Sequence, residues 1–81
     1  MSASQQDEII EIIENALELN PGSINVDSSS ENTENWDSLG QLSILVALDK
    51  HFDGKISGIS EMAEANSTKD ILSTLKENLI L

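Results

Sequence analysis

Apolar residues recur at steps of three and four in three stretches of this 81-residue chain, which is the period of an amphipathic helix. The first stretch predicts a helix over about residues 5–19. Asn20-Pro21-Gly22 ends this helix, because proline cannot continue a helix and glycine tolerates the turn. The predicted apolar face consists of Ile9, Ile12, Ile13, Ala16 and Leu17. The opposite, solvent-facing side is predicted to hold Glu8, Glu11, Glu14 and Glu18.

A second helix is predicted to begin after Trp36 and to end near Phe52, before Asp53-Gly54. Asp37 is a favourable N-cap, because its carboxylate can accept a hydrogen bond from an unpaired N–H of the first turn. The apolar stripe of this helix is predicted to hold Leu39, Leu42, Leu45, Val46, Leu48 and Phe52.

Two further helices are predicted in the last third of the chain. Residues 58–65 form a short third helix, with Ile59, Met62 and Ala63 facing inward, and Asn66-Ser67 is a break and a new cap. The last helix covers about residues 68–79, and its apolar face holds Ile71, Leu72, Leu75 and Leu79. No alternating run indicates a strand. We therefore predict an all-α fold, a small four-helix bundle of three longer helices and one short helix, in a single domain over 1–81 with a flexible N-terminus at about 1–6.

The polar segment 20–36 shows no sustained period and is predicted to be a long loop. Ile24 and Val26 are its isolated apolar residues. Trp36 is predicted to anchor the loop on the core, with a contact to a partner as the alternative. Loops of this length in small domains are often functional.

The formal net charge of −11 comes from 15 acidic residues against four lysines. Ten of the acids and none of the lysines lie in residues 1–49. Such a field repels nucleic acid and anionic membranes, and it attracts basic protein surfaces. The other interpretation of the charge is that it only keeps a small domain in solution. We expect no nucleic-acid partner and no membrane insertion.

The chain contains no cysteine, so it can form no disulfide and has no thiol of its own. Met1 to Asp7 is polar and has neither the basic nor the apolar region of a signal peptide. These features favour a cytoplasmic monomer.

Ser38 is the candidate for chemistry, since it would lie in the first turn of the second helix, where backbone N–H groups lack partners and the helix dipole favours negative charge. An anionic group attached to Ser38 would be stabilised there. The alternative is an ordinary helix-start serine. A Ser-His catalytic pair is excluded, because His51 is thirteen residues further along the same helix, about 20 Å away. Asp49 to Ser60 lacks two of the ligands that a calcium loop needs, so no metal site is predicted.

Trp36-Asp37-Ser38-Leu39-Gly40-Gln41-Leu42, with the Leu45 to Leu48 segment and the Phe52-Asp53 helix end, resembles the acyl carrier protein family over about residues 9–79. The resemblance implies that Ser38 carries 4′-phosphopantetheine, transferred from coenzyme A with magnesium by a holo-carrier synthase. The arm supplies a thiol that holds acyl groups as thioesters. The chain would then be no enzyme. Asp37 would orient the synthase, and Leu39 would pack at the contact edge.

The resemblance also implies partners that load or use acyl or aminoacyl groups, through basic surface patches. The family's acyl-contacting groove between helices two and three would involve Leu42, Val46, Ile59, Met62 and Ala63, although helical spacing makes most of these core residues instead.

Gly40 departs from the family pattern, because many fatty-acid carriers place an acid there and show several acids on the second helix. The pattern is more similar to specialised carriers of secondary pathways such as polyketide synthesis, or to D-alanyl carriers. An unmodified acidic interaction module is the alternative from another class.

Overall fold

Three α-helices carry most of the regular structure in the computed structural model, which describes residues 5–80. They are α1 (Gln5–Ala16), α2 (Ser38–His51) and α3 (Thr68–Glu77). Residues 5–80 contain no strand, and one isolated antiparallel bridge joins Ser29 to Ser67. The radius of gyration is 11.5 Å, close to the value of about 11.7 Å expected for a compact domain of this length. The all-α prediction is confirmed at this level.

The predicted short helix at 58–65 is wrong in its details. Two 3₁₀ turns, Ile56–Gly58 and Ser60–Glu64, stand in its place and are called here the 3₁₀ segment. They remain separate because Ile59 between them has an extended backbone, with φ −106° and ψ 99°. The predicted flexible N-terminus lies mostly outside the described residues, and Gln5 and Gln6 already belong to α1.

Non-glycine residues with positive φ follow all three helices, and this explains why two of them end earlier than predicted. Glu18 has φ 58° two residues beyond α1, and Leu79 has φ 58° two residues beyond α3. In both turns the next amide bonds back to the helix: Leu19 N to Glu14 O at 2.9 Å, and Ile80 N to Leu75 O at 2.9 Å. This left-handed closure satisfies carbonyls that the helix end leaves free. In α1 this closure lies before Pro21, the residue on which the predicted end of the helix was based.

Helix N-termini follow the prediction closely. The Asp37 carboxylate accepts the Gly40 N–H at 2.9 Å at the start of α2. The Ser67 hydroxyl accepts the Asp70 N–H at 3.1 Å at the start of α3. Both caps are confirmed, since each depends on residues only three positions apart.

The core is aliphatic and is formed by one face of each helix together with the 3₁₀ segment. In α2 the buried positions are Gly40, Ile44 and Leu48, a narrow line of i, i+4, i+8 spacing. This line faces α1 on one side and the 3₁₀ segment on the other. The remaining large buried side chains are Ile9, Ile13, Leu17, Ile24, Trp36, Ile56, Ile59, Met62, Ile71, Leu72 and Leu75. Trp36 is therefore confirmed as a loop anchor.

Several predicted core positions are exposed, and these predictions were wrong. Leu39, Leu42 and Val46 are exposed on the outer side of α2, as are Ala63 of the 3₁₀ segment and Leu79 beyond α3. The α2 error arises because apolar residues lie all around this helix, so spacing alone does not identify the buried side.

Glu14 is the converse error, since it was assigned to the solvent face and is buried. Its carboxylate accepts the N–H groups of Gly22 at 2.8 Å and Ile24 at 3.1 Å. These bonds fix the start of the long loop against α1. The end of the same loop is held by Asn35, whose side-chain amide donates to Leu17 O at 3.0 Å.

Candidate functional site

Ser38 is the first residue of α2 and is exposed to solvent. Asp37, the residue before it, is also exposed and caps the helix by accepting the N–H of Gly40. Within residues 5–80 the backbone N–H groups of Ser38 and Leu39 have no hydrogen-bond acceptor. The site therefore offers an accessible hydroxyl beside two free donors at the positive end of the helix dipole.

Within residues 5–80 the Ser38 hydroxyl makes no hydrogen bond, and the adjacent carboxylate of Asp37 already accepts the Gly40 N–H. His51 is the last residue of α2, about 20 Å from Ser38 along the helix axis at the usual rise. Its ring packs edge-on against Phe52, with centroids 4.8 Å apart. Lys50 and His51 occupy the last turn, as predicted, where positive charge complements the helix dipole.

The glycine at position 40 is explained by a close approach of the loop to α2. A Cβ there would overlap the Asn35 carbonyl oxygen and would lie 2.8 Å from Leu17 Cδ2. Asn35 itself has a positive φ of 67° and turns the chain into the Trp36-Asp37 cap. Because position 40 is glycine, the loop end and the residue that follows α1 can pack closely against the first turn of α2, next to Ser38.

Gln41 joins three parts of the site, and sequence reasoning missed it. Its Oε1 accepts the Trp36 indole N–H at 2.7 Å, and its Nε2 donates to the carbonyl oxygens of Ala65 at 3.0 Å and Met62 at 3.3 Å. These bonds tie the loop and the 3₁₀ segment to α2 one turn after Ser38. No sequence pattern indicates this role, because the partners lie up to 24 residues away.

An apolar groove of about 350 Å³ runs between α2 and the 3₁₀ segment. Its walls include Leu45, Val46, Ile56, Ile59 and Met62. Of the five residues predicted for such a groove, the structure brings Val46, Ile59, Met62 and Ala63 together there. Leu42 does not line it and is instead exposed, next to Leu39, on the outer side of α2.

The exposed side of α2 is apolar, whereas the second helix of the fatty-acid carriers described above has several acids. Leu39 is 75%, Leu42 57% and Val46 58% exposed, and Asp49 is the sole acid between the ends of the helix. The Asp49 carboxylate accepts the Ser57 N–H at 2.9 Å and so supports the 3₁₀ segment. Exposed large apolar side chains that cluster in this way are typical of contact surfaces.

Within residues 5–80 no three His, Cys, Asp or Glu side chains converge in a way that could hold a metal ion. No helix in the same part of the chain has the length and apolar character to cross a membrane.

Comparisons of the chain with models of known families, with curated proteins and with solved structures find no match.

Proposed function

We propose that this chain is a free-standing carrier of acyl or aminoacyl groups, and that Ser38 is its attachment point for 4′-phosphopantetheine. The exposed Ser38 hydroxyl, which makes no hydrogen bond within residues 5–80 and lies beside unpaired N–H groups, is the observation that carries the proposal. A serine that serves as a catalytic nucleophile has a base of its own protein within hydrogen-bond reach, about 3 Å away. Such a hydroxyl is instead suited to modification by an enzyme that brings its own base.

The residues around Ser38 fit a phosphate ester. In the loading step, Ser38 Oγ forms the new bond to the phosphorus of the pantetheine phosphate in coenzyme A. The pyrophosphate P–O bond breaks, adenosine bisphosphate leaves, and the hydroxyl proton passes to a base on the transferase. The free N–H groups of Ser38 and Leu39 then face the phosphate charge that the reaction leaves at the helix N-terminus. Once attached, the arm supplies the thiol that this cysteine-free chain lacks.

The groove between α2 and the 3₁₀ segment is the proposed binding place for an acyl cargo. Its walls are mostly aliphatic, and it opens on the side of α2 that carries Val46. In this proposal the 3₁₀ segment corresponds to the short third helix of a carrier-type four-helix bundle. A volume of about 350 Å³ suits a small or medium cargo.

Partner enzymes are proposed to combine a basic rim with an apolar centre. Leu39 and Leu42 supply the apolar contact, and the acids of the first half of the chain supply the attraction. Asp37 stands exposed beside Ser38, where it can meet a basic residue of the synthase. We place the protein in the cytoplasm as a monomer, where coenzyme A and the transferase are present.

The test is intact-mass measurement after incubation with coenzyme A, magnesium and a broad-specificity transferase. We expect the parent chain to gain one phosphopantetheine and Ser38→Ala to gain none. Ser43→Ala is the matched control, since Ser43 is also an exposed serine of α2, and it should load normally.

Two results would contradict the proposal. If the Ser38→Ala variant still gains a phosphopantetheine, Ser38 is not the attachment residue. Failure of the parent chain to load, while a known carrier loads in the same tube, would favour the alternative of an unmodified acidic module that binds a basic protein through α1 and the long loop.

A further inference from the structure

A second depression, with polar and apolar lining in nearly equal parts, lies directly beside Ser38. It measures about 590 Å³ and lies between the long loop, the first turn of α2 and the 3₁₀ segment. Ser38 is part of its wall, together with Ser30 of the loop, Ala63 of the 3₁₀ segment and Asn66 before α3. Any group attached to Ser38 Oγ therefore starts at the edge of this depression.

The walls of the depression are held in place by hydrogen bonds that leave little room for rearrangement. Gln41 uses its oxygen and its nitrogen on Trp36 and on the carbonyls of the 3₁₀ segment. The Ser30 N–H donates to the Asn66 carbonyl at 2.9 Å, which closes the side opposite α2. The shape is therefore present before any ligand arrives.

Two polar side chains in this wall remain available for a ligand. The Ser30 hydroxyl and the Asn66 carboxamide make no hydrogen bond within residues 5–80. Ser30 is half-buried and Asn66 is exposed. Together they offer both donors and acceptors, whereas the Gln41 amide is already satisfied.

We propose that this depression holds the pantetheine arm of the loaded protein, with Ser30 and Asn66 hydrogen-bonding its amide groups. This inference rests on the proposed function. The arm has two amides and a hydroxyl between its phosphate and its thiol, so it fits a wall of mixed character with unpaired polar side chains better than the mostly apolar groove. Ala63 lines both the depression and the apolar groove. An arm lying in the depression therefore points its thiol end towards the place proposed for the cargo.

The other side of the α2 start offers a competing position that fits the arm less well. A smaller depression of about 340 Å³ lies there, bordered by Glu18, Asn35, Leu39 and Ser43. Ser38 does not line it. Asp37 lines both depressions and does not distinguish them, whereas the second carboxylate here, that of Glu18, adds repulsion for a phosphate. The Asn35 side-chain amide already donates to Leu17 O. The arm would change the chemical environment of different residues in the two positions.

Amide chemical shifts of the ¹⁵N-labelled full chain, before and after loading, test the proposal. We expect loading to shift the backbone amides of Ser30 and Ala63 and the side-chain amide of Asn66, and to leave those of Glu18 and Ser43 nearly unchanged. Shifts confined to the Glu18 side, or to Ser38 and its immediate neighbours, would overturn the assignment. A chain that gains no mass contradicts the proposed function, whereas a chain that gains the mass but lacks the expected shifts contradicts only the position of the arm. Intact mass therefore distinguishes the two failures.

The double variant Ser30→Ala, Asn66→Ala shows whether the side chains hold the arm. Each neutral hydrogen bond changes an equilibrium constant by about fivefold, so the docked fraction relative to the free one should fall about 25-fold. The Ala63 amide in the loaded variant should then return towards its unloaded position. Ser43→Ala is the control and should keep the full shift at Ala63. Equal shifts in both variants would refute the role of Ser30 and Asn66. The backbone bond between these residues does not depend on either side chain.

Discussion

Replacing Gly40 by alanine gives the most direct test of how the site is assembled. In an ordinary helix interior the change would stabilise the protein by about 1 kcal/mol, because glycine is the weaker helix former. Here the new Cβ would overlap the Asn35 carbonyl and approach Leu17 Cδ2 to 2.8 Å. Backbone is the main obstacle, so rotation of a flexible side chain cannot relieve the overlap.

The net effect follows from the two opposing terms. Forcing extra volume into a packed contact costs about 1–3 kcal/mol. The overlap with backbone atoms puts the cost at the upper end of this range, so after the gain of about 1 kcal/mol in helix propensity Gly40→Ala should lower the free energy of unfolding by about 2 kcal/mol. For a domain of this size the melting temperature should fall by roughly 8–16 °C.

The measurement is urea unfolding of the unloaded protein, followed by far-UV circular dichroism and by the fluorescence of the single tryptophan, Trp36. Gly58→Ala is the matched control, since no atom lies within 4 Å of an added Cβ there and its φ is not positive. The control should change stability by less than about 0.5 kcal/mol. A Gly40→Ala protein as stable as the parent, or more stable, would show that the loop end does not press on α2.

Three further variants test interactions that only the fold reveals. Glu14→Ala should destabilise the protein by about 2–3 kcal/mol, because two loop amides lose a charged acceptor, while Glu11→Ala on the exposed side of α1 should have almost no effect on the urea midpoint. Gln41→Leu should cost about 2 kcal/mol and change the emission of Trp36, whose indole N–H loses its acceptor; an unchanged spectrum and midpoint would disprove the link. Thr68→Val should raise the melting temperature, since the Thr68 hydroxyl is fully buried without a hydrogen-bond partner in the described residues; a lower melting temperature would show that the hydroxyl is satisfied in solution.

The sequence was sufficient wherever one short segment contains the whole interaction. The cap of Asp37 on Gly40 and the cap of Ser67 on Asp70 each span three residues. The predicted place of Ser38 in the first turn of α2 is confirmed, and helical periodicity located all three helices. The period also identified most of the buried faces of α1 and α3, because polar residues mark most of the outer side of those helices. The exceptions are Glu14, Leu79 and the buried threonines Thr68 and Thr74.

Only the tertiary structure decided which side of α2 is buried, because apolar residues surround that helix and both sides are suitable for a core. Packing against α1 and the 3₁₀ segment buries Ile44 and Leu48 and leaves Leu42 and Val46 exposed. The roles of Gly40, Gln41 and Glu14 likewise depend on partners brought close by the loop and by the 3₁₀ segment. A contact of this kind has no local period or spacing. It exists only once distant segments are packed, so the candidate serine could be read from the sequence, whereas the depression beside it could not.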